Sequence, residues 1–381
     1  MRKSIVLFAL ACVACALAAP SAQPSPGLIV GIYDEQSSLG NPDWAFPQYE
    51  RLGVEALRAN LYWGGPSGVG RKKPANARNP ADPAYDWGAY DAFVKRSAEN
   101  RIKVVFSIVR TPTWAIAARE KKKANRAPAR MKDLQDFAFA AAKRYSGSFR
   151  PSNDEPALPP VRFWLAWNEP NNPIFLYPQF RYIGGRYRPV SPAVYAKMCN
   201  AIWSGVHLTG LRGEKVACGV TAPRGNNSGA QPRSSLSPIP FLRGMKKAGA
   251  RFDAYAHHPY YGHRTESPRT RPPLRGTAIT LANLDVLIKE LTRLYGRKRV
   301  WLTEYGYQTN PPDRAFGVSF VKQARYLTQA YAIARANPRV DMMLWFLVKD
   351  EARIGNGWQS GLYTSSGRRK PAWQAFRQMR K

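Results

Sequence analysis

Two glutamates stand out for the company they keep. Glu169 closes the apolar run VRFWLAWNEP at 161–170, and Glu304 closes KRVWLTEYGY at 298–307. A carboxylate at the end of an apolar strand is costly to bury unless it is paired, so chains keep one there for chemistry or for an ion pair. Two carboxylates facing each other can cleave a glycosidic bond: one donates a proton to the departing oxygen while the other attacks or activates water. That chemistry requires two runs distant in sequence to end at the same place.

The rest of the chain supplies elements that can do this. Strand-like apolar runs fall at 28–34, 53–63, 101–109, 161–168, 215–222, 252–258, 298–304 and 340–348. Most are near-continuously apolar, as parallel strands buried on both faces are. Stretches with helical spacing lie between them: Tyr85–Asn100, Met131–Tyr145, a segment opened by Ser191-Pro192, Ile279–Tyr295 ending at Gly296, Val318–Ala336, and 371–379. Serine followed by proline at a helix start and glycine past its end are the expected boundary residues. Eight strand–helix repeats imply right-handed crossovers and a closed parallel (β/α)8 barrel, an α/β fold, over residues 27–381 as one domain with long βα loops. A Gly-x-Gly-x-x-Gly turn after the first run, which a dinucleotide-binding sheet would show, is absent.

In such a barrel the catalytic groups sit at the C-terminal ends of the strands. The polar residues there are Arg58 and Asn60 on the second run, Asn168 beside Glu169 on the fourth, and His257, His258 and Tyr260 on the sixth. Glu304 ends the seventh run, and the eighth offers Trp345. Successive strand residues point to opposite faces, so one of the two histidines faces the mouth, and its spacing to Tyr260 favours His258. Arg58 and Tyr260 are suited to keep one glutamate ionised, while a less polar pocket raises the pKa of the other.

Taken together, WNEP at 167–170, TEYG at 303–306, HPY at 258–260, Arg58 and Trp345 resemble clan A of the retaining glycoside hydrolases. WNEPN with Thr-Pro-x-Trp resembles family 39 more than the cellulase-like family 5, many of whose members carry a histidine near the end of the third strand. Here SIVRTPTW has none. The resemblance implies that Glu169 is the general acid/base and Glu304 the nucleophile, with Asn168 on the sugar 2-hydroxyl. It also implies that Arg58 and Tyr260 position the nucleophile, His258 lines the mouth, and Trp345 is the aromatic floor beneath the sugar. A carbohydrate substrate and no cofactor or metal follow. A barrel that binds glycan or cell wall without turning it over is the competing reading, although it has no need of both glutamates.

The ends of the chain and its charge bear on where it works. Arg2 and Lys3, an apolar run from Ile5 to Leu17 and small residues thereafter read as an export leader over residues 1–22. The run is too short to span a bilayer, so no stable membrane insertion is expected. Beyond the leader only Cys199 and Cys218 remain; a disulfide and two buried thiols are both open. Net charge is +33. For an exported protein that favours an anionic partner outside the cell, an acidic polysaccharide, a wall polymer or a lipid surface, over nucleic acid. The active-site loops 64–84, 113–130, 171–190, 223–234 and 261–276 hold 19 basic residues, including Lys121-Lys122-Lys123, Arg186, Arg188, Arg269 and Arg271. Their only acids are Asp82, Glu120 and Glu266. Aromatic residues interleave with them, and a solvated basic surface remains the plain alternative to an anionic glycan site.

Overall fold

The computed structural model describes residues 27–120, 125–273, 276–355 and 357–379. Residues 1–22, read above as an export leader, and Lys121–Lys123 lie outside the described residues. Eight parallel strands close a barrel: β1 (Ile29–Tyr33), β2 (Ala56–Tyr62), β3 (Lys103–Val109), β4 (Phe163–Ala166), β7 (Lys215–Thr221), β8 (Ala254–His257), β9 (Arg299–Tyr305) and β10 (Val340–Phe346). Each falls within a residue or a few of an expected run. Between β4 and β7 a two-stranded hairpin, β5 (Phe180–Ile183) and β6 (Arg186–Pro189), stands outside the barrel.

Helices α3 (Gly88–Glu99), α4 (Met131–Arg144), α5 (Ser191–His207), α7 (Leu284–Tyr295), α8 (Phe320–Ala336) and α9 (Pro371–Gln378) occupy the expected segments. Residues 279–283, expected at the head of α7, instead lead into it through a 3-10 turn at Leu281–Asn283, capped reciprocally by Thr280 and Asn283. The helical spacing does not reveal α1 (Glu35–Gly40), α2 (Pro42–Leu52) or α6 (Pro238–Lys247). Prolines punctuate α2 at 42 and 47 and open α6 at 238 and 240; as helix breakers they hide the period, yet in the first turn proline costs no hydrogen bond. No helix among the described residues is long and apolar enough to cross a membrane.

The apolar core divides as the barrel geometry demands. Inward-pointing Ala56, Val105, Leu165, Ala217, Ala254, Trp301, Met342 and Leu344 fill the barrel, and a larger cluster seals the strands against the helices. Cys199 on α5 and Cys218 on β7 are joined in a disulfide, their Cα atoms 6.0 Å apart, tying helix to barrel.

Two irregularities matter for the site. Against β10, Leu302 pairs with Met343 but Tyr305 with Trp345, so β9 carries one extra residue. Against β8, Gly219 pairs with Ala256 but Thr221 with His257, so β7 is bulged as well. A bulge re-aims the side chains that follow it. Strict alternation would send Glu304 outward with Leu302; the bulge brings both Thr303 and Glu304 to the mouth.

Candidate active site

At that mouth four strand ends converge. Arg58, fully buried on β2, is the hub. Its Nη1 donates to Glu304 Oε2 (3.2 Å) and to the Thr303 carbonyl (3.0 Å), and its Nη2 to Asn168 Oδ1 (2.6 Å). The Tyr33 ring lies under the guanidinium, 4.1 Å from its carbon, and helps offset the cost of burying a cation. Tyr260 donates its hydroxyl to Glu304 Oε1 (3.0 Å). Both oxygens of Glu304 therefore face donors, one of them cationic, which is the environment of a carboxylate anion.

Glu169 sits differently. It follows β4 in a backbone turn where Trp167 and Glu169 adopt φ of 71° and 38°. Non-glycine residues held there cost on the order of 1–3 kcal/mol each, a strain that clusters at functional sites. Among the described residues its oxygens meet His258 Nδ1 (3.0 Å) and Asn172 Nδ2 (3.3 Å). Burial dominates over the Asn172 hydrogen bond and the Arg58 charge, and the carboxyl pKa is pushed up to about 7.

The histidines separate as alternation requires. His258 Nε2 faces Arg58 Nη1 (3.2 Å), which can only donate, and the Thr303 hydroxyl (3.1 Å). Nε2 is therefore the acceptor, and Nδ1 carries the hydrogen given to Glu169. Burial lowers the His258 pKa to about 3, so the ring is neutral. His257 turns away: it pairs with the Thr221 hydroxyl (2.8 Å) and the Ile279 carbonyl (3.1 Å) and is a packing residue.

A cleft of about 680 Å³ opens over these groups, lined by Tyr33, Asn60, Asn168, Glu169, Tyr260, Glu304, Phe346 and Trp358 among others. A second hollow of about 430 Å³ adjoins it, sharing Asn60, Tyr62, Asn168, Ile174 and Phe175 and adding Arg110 and Arg126. One expectation is corrected. Trp345 does not floor the cleft: it pairs with Ile32 on β1, packs with the outer core and donates its indole N–H to the Ser360 carbonyl (2.8 Å). Parity along β10 turns it outward and gives the mouth to the next residue, Phe346, whose ring meets Trp358 edge-on at 5.6 Å.

Several site residues carry no sequence signal of their own. Thr303 and Asn172 act through contacts visible only in three dimensions. Glu35, the first residue of α1, accepts from the Asn60 backbone N–H, the Tyr62 hydroxyl (3.0 Å) and the Tyr33 hydroxyl (3.4 Å) and fixes one wall of the cleft. Its one mark in the sequence is its place directly after the first apolar run, beside Asp34.

Glu169, His258 and Glu304 each offer a ligand atom within 4.8 Å of the others, close enough to hold a cation. The Arg58 guanidinium already supplies the positive charge there, 3.2 Å from Glu304 Oε2. The donor set fits an organic substrate better than a metal ion.

An eight-stranded (β/α)8 barrel with two glutamates facing each other at the C-terminal mouth is the class of protein that the fold and site define. Residues 252–381 match a family of unknown function (DUF5722). No curated protein matches the chain. Among solved structures, the chain is similar to a family 39 glycoside hydrolase from the gut symbiont Bacteroides cellulosilyticus WH2 (18% identity, TM-score 0.60), with 92% of this chain and 63% of that one covered. It is similar to a GH39 β-xylosidase from Caulobacter crescentus (17%, 0.59; 94% and 72% covered). It is similar also to GH5_18 from Streptomyces cattleya, solved in complex with GlcNAc (16%, 0.57; 93% and 80%). These are likenesses of fold, and the chain spans less than two thirds of the Bacteroides protein.

Proposed function

We propose that this chain is a retaining glycosidase with Glu304 as nucleophile and Glu169 as acid/base. The observation that carries the reading is the contrast between two adjacent carboxyls. Their ligand atoms lie within 4.8 Å, nearer the about 5–5.5 Å of retaining enzymes than the about 6.5–9.5 Å of inverting ones. One meets Arg58 and Tyr260; the other is buried with a pKa of about 7. Glu304 attacks the anomeric carbon as the bond to the leaving oxygen breaks, and Glu169 gives that oxygen its proton. Glu169 then takes a proton from water, which attacks the glycosyl ester and releases Glu304. Proton NMR of an aryl glycoside digest reads the outcome: a first-formed sugar with retained configuration is expected, and an inverted one overturns the assignment. Turnover of no glycoside, with glycan binding unchanged in Glu304→Gln, points instead to a binding barrel.

The substrate class within this reading is an anionic glycan. Arg110, at φ 62° just past β3, lines the hollow next to Asn60 and Asn168. Its guanidinium lies 5.9 Å from the Tyr62 ring centroid, and among the described residues no carboxylate pairs with it. Arg126 on the same wall is engaged by Glu120 (3.3 Å) and the Tyr177 carbonyl (2.9 Å). Arg110→Gln is expected to lower kcat/KM on aryl uronides about 10- to 100-fold, the size of one charge-assisted hydrogen bond. Neutral aryl glycosides are expected to change little; equal losses on both count against the anionic class. Action outside the cytoplasm fits the leader and the disulfide.

A further inference from the structure

The hairpin β5–β6 has no role in the site just described, yet its composition is one-sided. Gly184 and Gly185, at φ 59° and 76°, make the two-residue turn that a hairpin of this twist needs. Arg181 pairs directly across from Arg188, and Ile183 from Arg186, so three guanidiniums share one face. Tyr182 and Tyr187 share the other, their rings 5.2 Å apart. The hairpin is held in place: Tyr187 packs over Gly229, where a Cβ would approach its side chain to 2.3 Å.

Like charges directly opposite on neighbouring strands destabilise the pair. Among the described residues nothing local offsets them. Arg188 donates only to the hairpin's own Ile183 carbonyl (3.4 Å). Between Glu169 and Asp253 the sole acid is Glu214, which precedes β7 at the far end of the barrel and pairs with Arg162. The neighbouring loop adds Arg224 and Arg233 and no acid. A regularly spaced row of carboxylates would resolve this frustration through paired Arg–carboxylate hydrogen bonds.

We infer that the arginine face of this hairpin is a second binding site, outside the catalytic cleft, for the anionic polysaccharide chain whose bond is cut. The ligand class rests on the proposed function. The hairpin lies in the segment that follows Glu169, on the barrel face that holds the catalytic pair, so one polymer reaches both. Its contacts are exposed and weaken as salt screens charges beyond about 8 Å at physiological ionic strength.

The test uses the full chain with Glu304→Gln, which leaves the polymer uncut, and affinity electrophoresis in polygalacturonate or neutral galactan. Adding Arg181→Gln, Arg186→Gln and Arg188→Gln is expected to weaken polygalacturonate binding about tenfold, as loss of three charge-assisted contacts would. Removing the same charge from α8, by Lys322→Gln, Arg325→Gln and Arg335→Gln, is expected to leave binding nearly unchanged. Equal losses in the two triple variants, or no loss in the hairpin variant, overturn the site. Oligodeoxythymidine bound as tightly as polygalacturonate, and equally weakened by the hairpin changes, overturns the ligand class. In the active background the hairpin variant keeps full turnover of small aryl glycosides. Absence of all turnover in the parent counts against the glycosidase and leaves the binding comparison intact.

Discussion

Glu304→Gln is expected to lower kcat on every glycoside the protein cleaves by about 10⁴-fold or more, the scale of losing a covalent nucleophile. The amide keeps the shape and can still meet Tyr260, but it cannot form the glycosyl ester. Glu169→Ala is expected to behave differently, because acid assistance is typically worth about 10² to 10⁴ and depends on the leaving group. Activated aryl glycosides need little protonation, so their first step survives and the ester accumulates. Added azide, an anion that needs no base, then restores turnover and yields a glycosyl azide. The pH profile gives an independent reading. Glu169 is held at about 7 by burial, and only its protonated form can donate, so kcat/KM should fall as pH rises through about 7. Glu169→Gln should remove that alkaline limb. An unshifted limb in this variant, or azide rescue in Glu304→Gln but not in Glu169→Ala, reverses or removes the assigned roles.

Lys370→Met should destabilise the protein by about 3–5 kcal/mol, because it strands a buried carboxylate. Lys370 precedes α9 and is 2% exposed. Its ammonium donates to Asp350 Oδ1 (2.7 Å), the Thr309 hydroxyl (2.8 Å) and the Gln359 carbonyl (3.1 Å). The Gly361 N–H also donates to Asp350 Oδ1 (2.8 Å). The cluster thus pins the loops after β9 and β10 to the last helix. Burial drives both groups toward neutrality, Asp350 up to about 6 and Lys370 down to about 8, so each tolerates its charge mainly through the other. A second change, Asp350→Leu, should restore much of the loss, since replacing both partners by apolar groups is often nearly neutral. Denaturant melts of the two single variants and the double one measure the coupling. Additive losses would show that the pair is not coupled.

Much of the barrel was legible from sequence because parallel barrel strands are local objects. A run such as KVVFSIV at 103–109 is buried on both faces, and no other part of the chain has to be known to see it. Placing Glu169 and Glu304 at strand ends needed only those runs and the barrel rule. The choice of His258 over His257 needed only the two-residue period. The family resemblance, not the period, misplaced the aromatic floor: it implied Trp345, whereas parity along β10 gives the cleft Phe346. Helices α2 and α6 stayed hidden because their prolines interrupt the apolar spacing on which recognition depends.

By itself, then, the sequence determined the number and order of the barrel strands, the apolar layers and the two carboxyls offered for chemistry, but not the hairpin β5–β6. These depend on neighbours within a few residues. Only the tertiary structure decided which faces meet. The extra residue in β9 exists only relative to β10, and it turns Glu304 toward Arg58, 246 residues away. The Cys199–Cys218 bond, the Lys370–Asp350 pair and the two opposed arginines of the hairpin are likewise set by register and packing. The difference in the two glutamates has the same origin: Glu304 was given Arg58 and Tyr260, Glu169 the neutral His258 and Asn172, and that is a property of the assembled mouth.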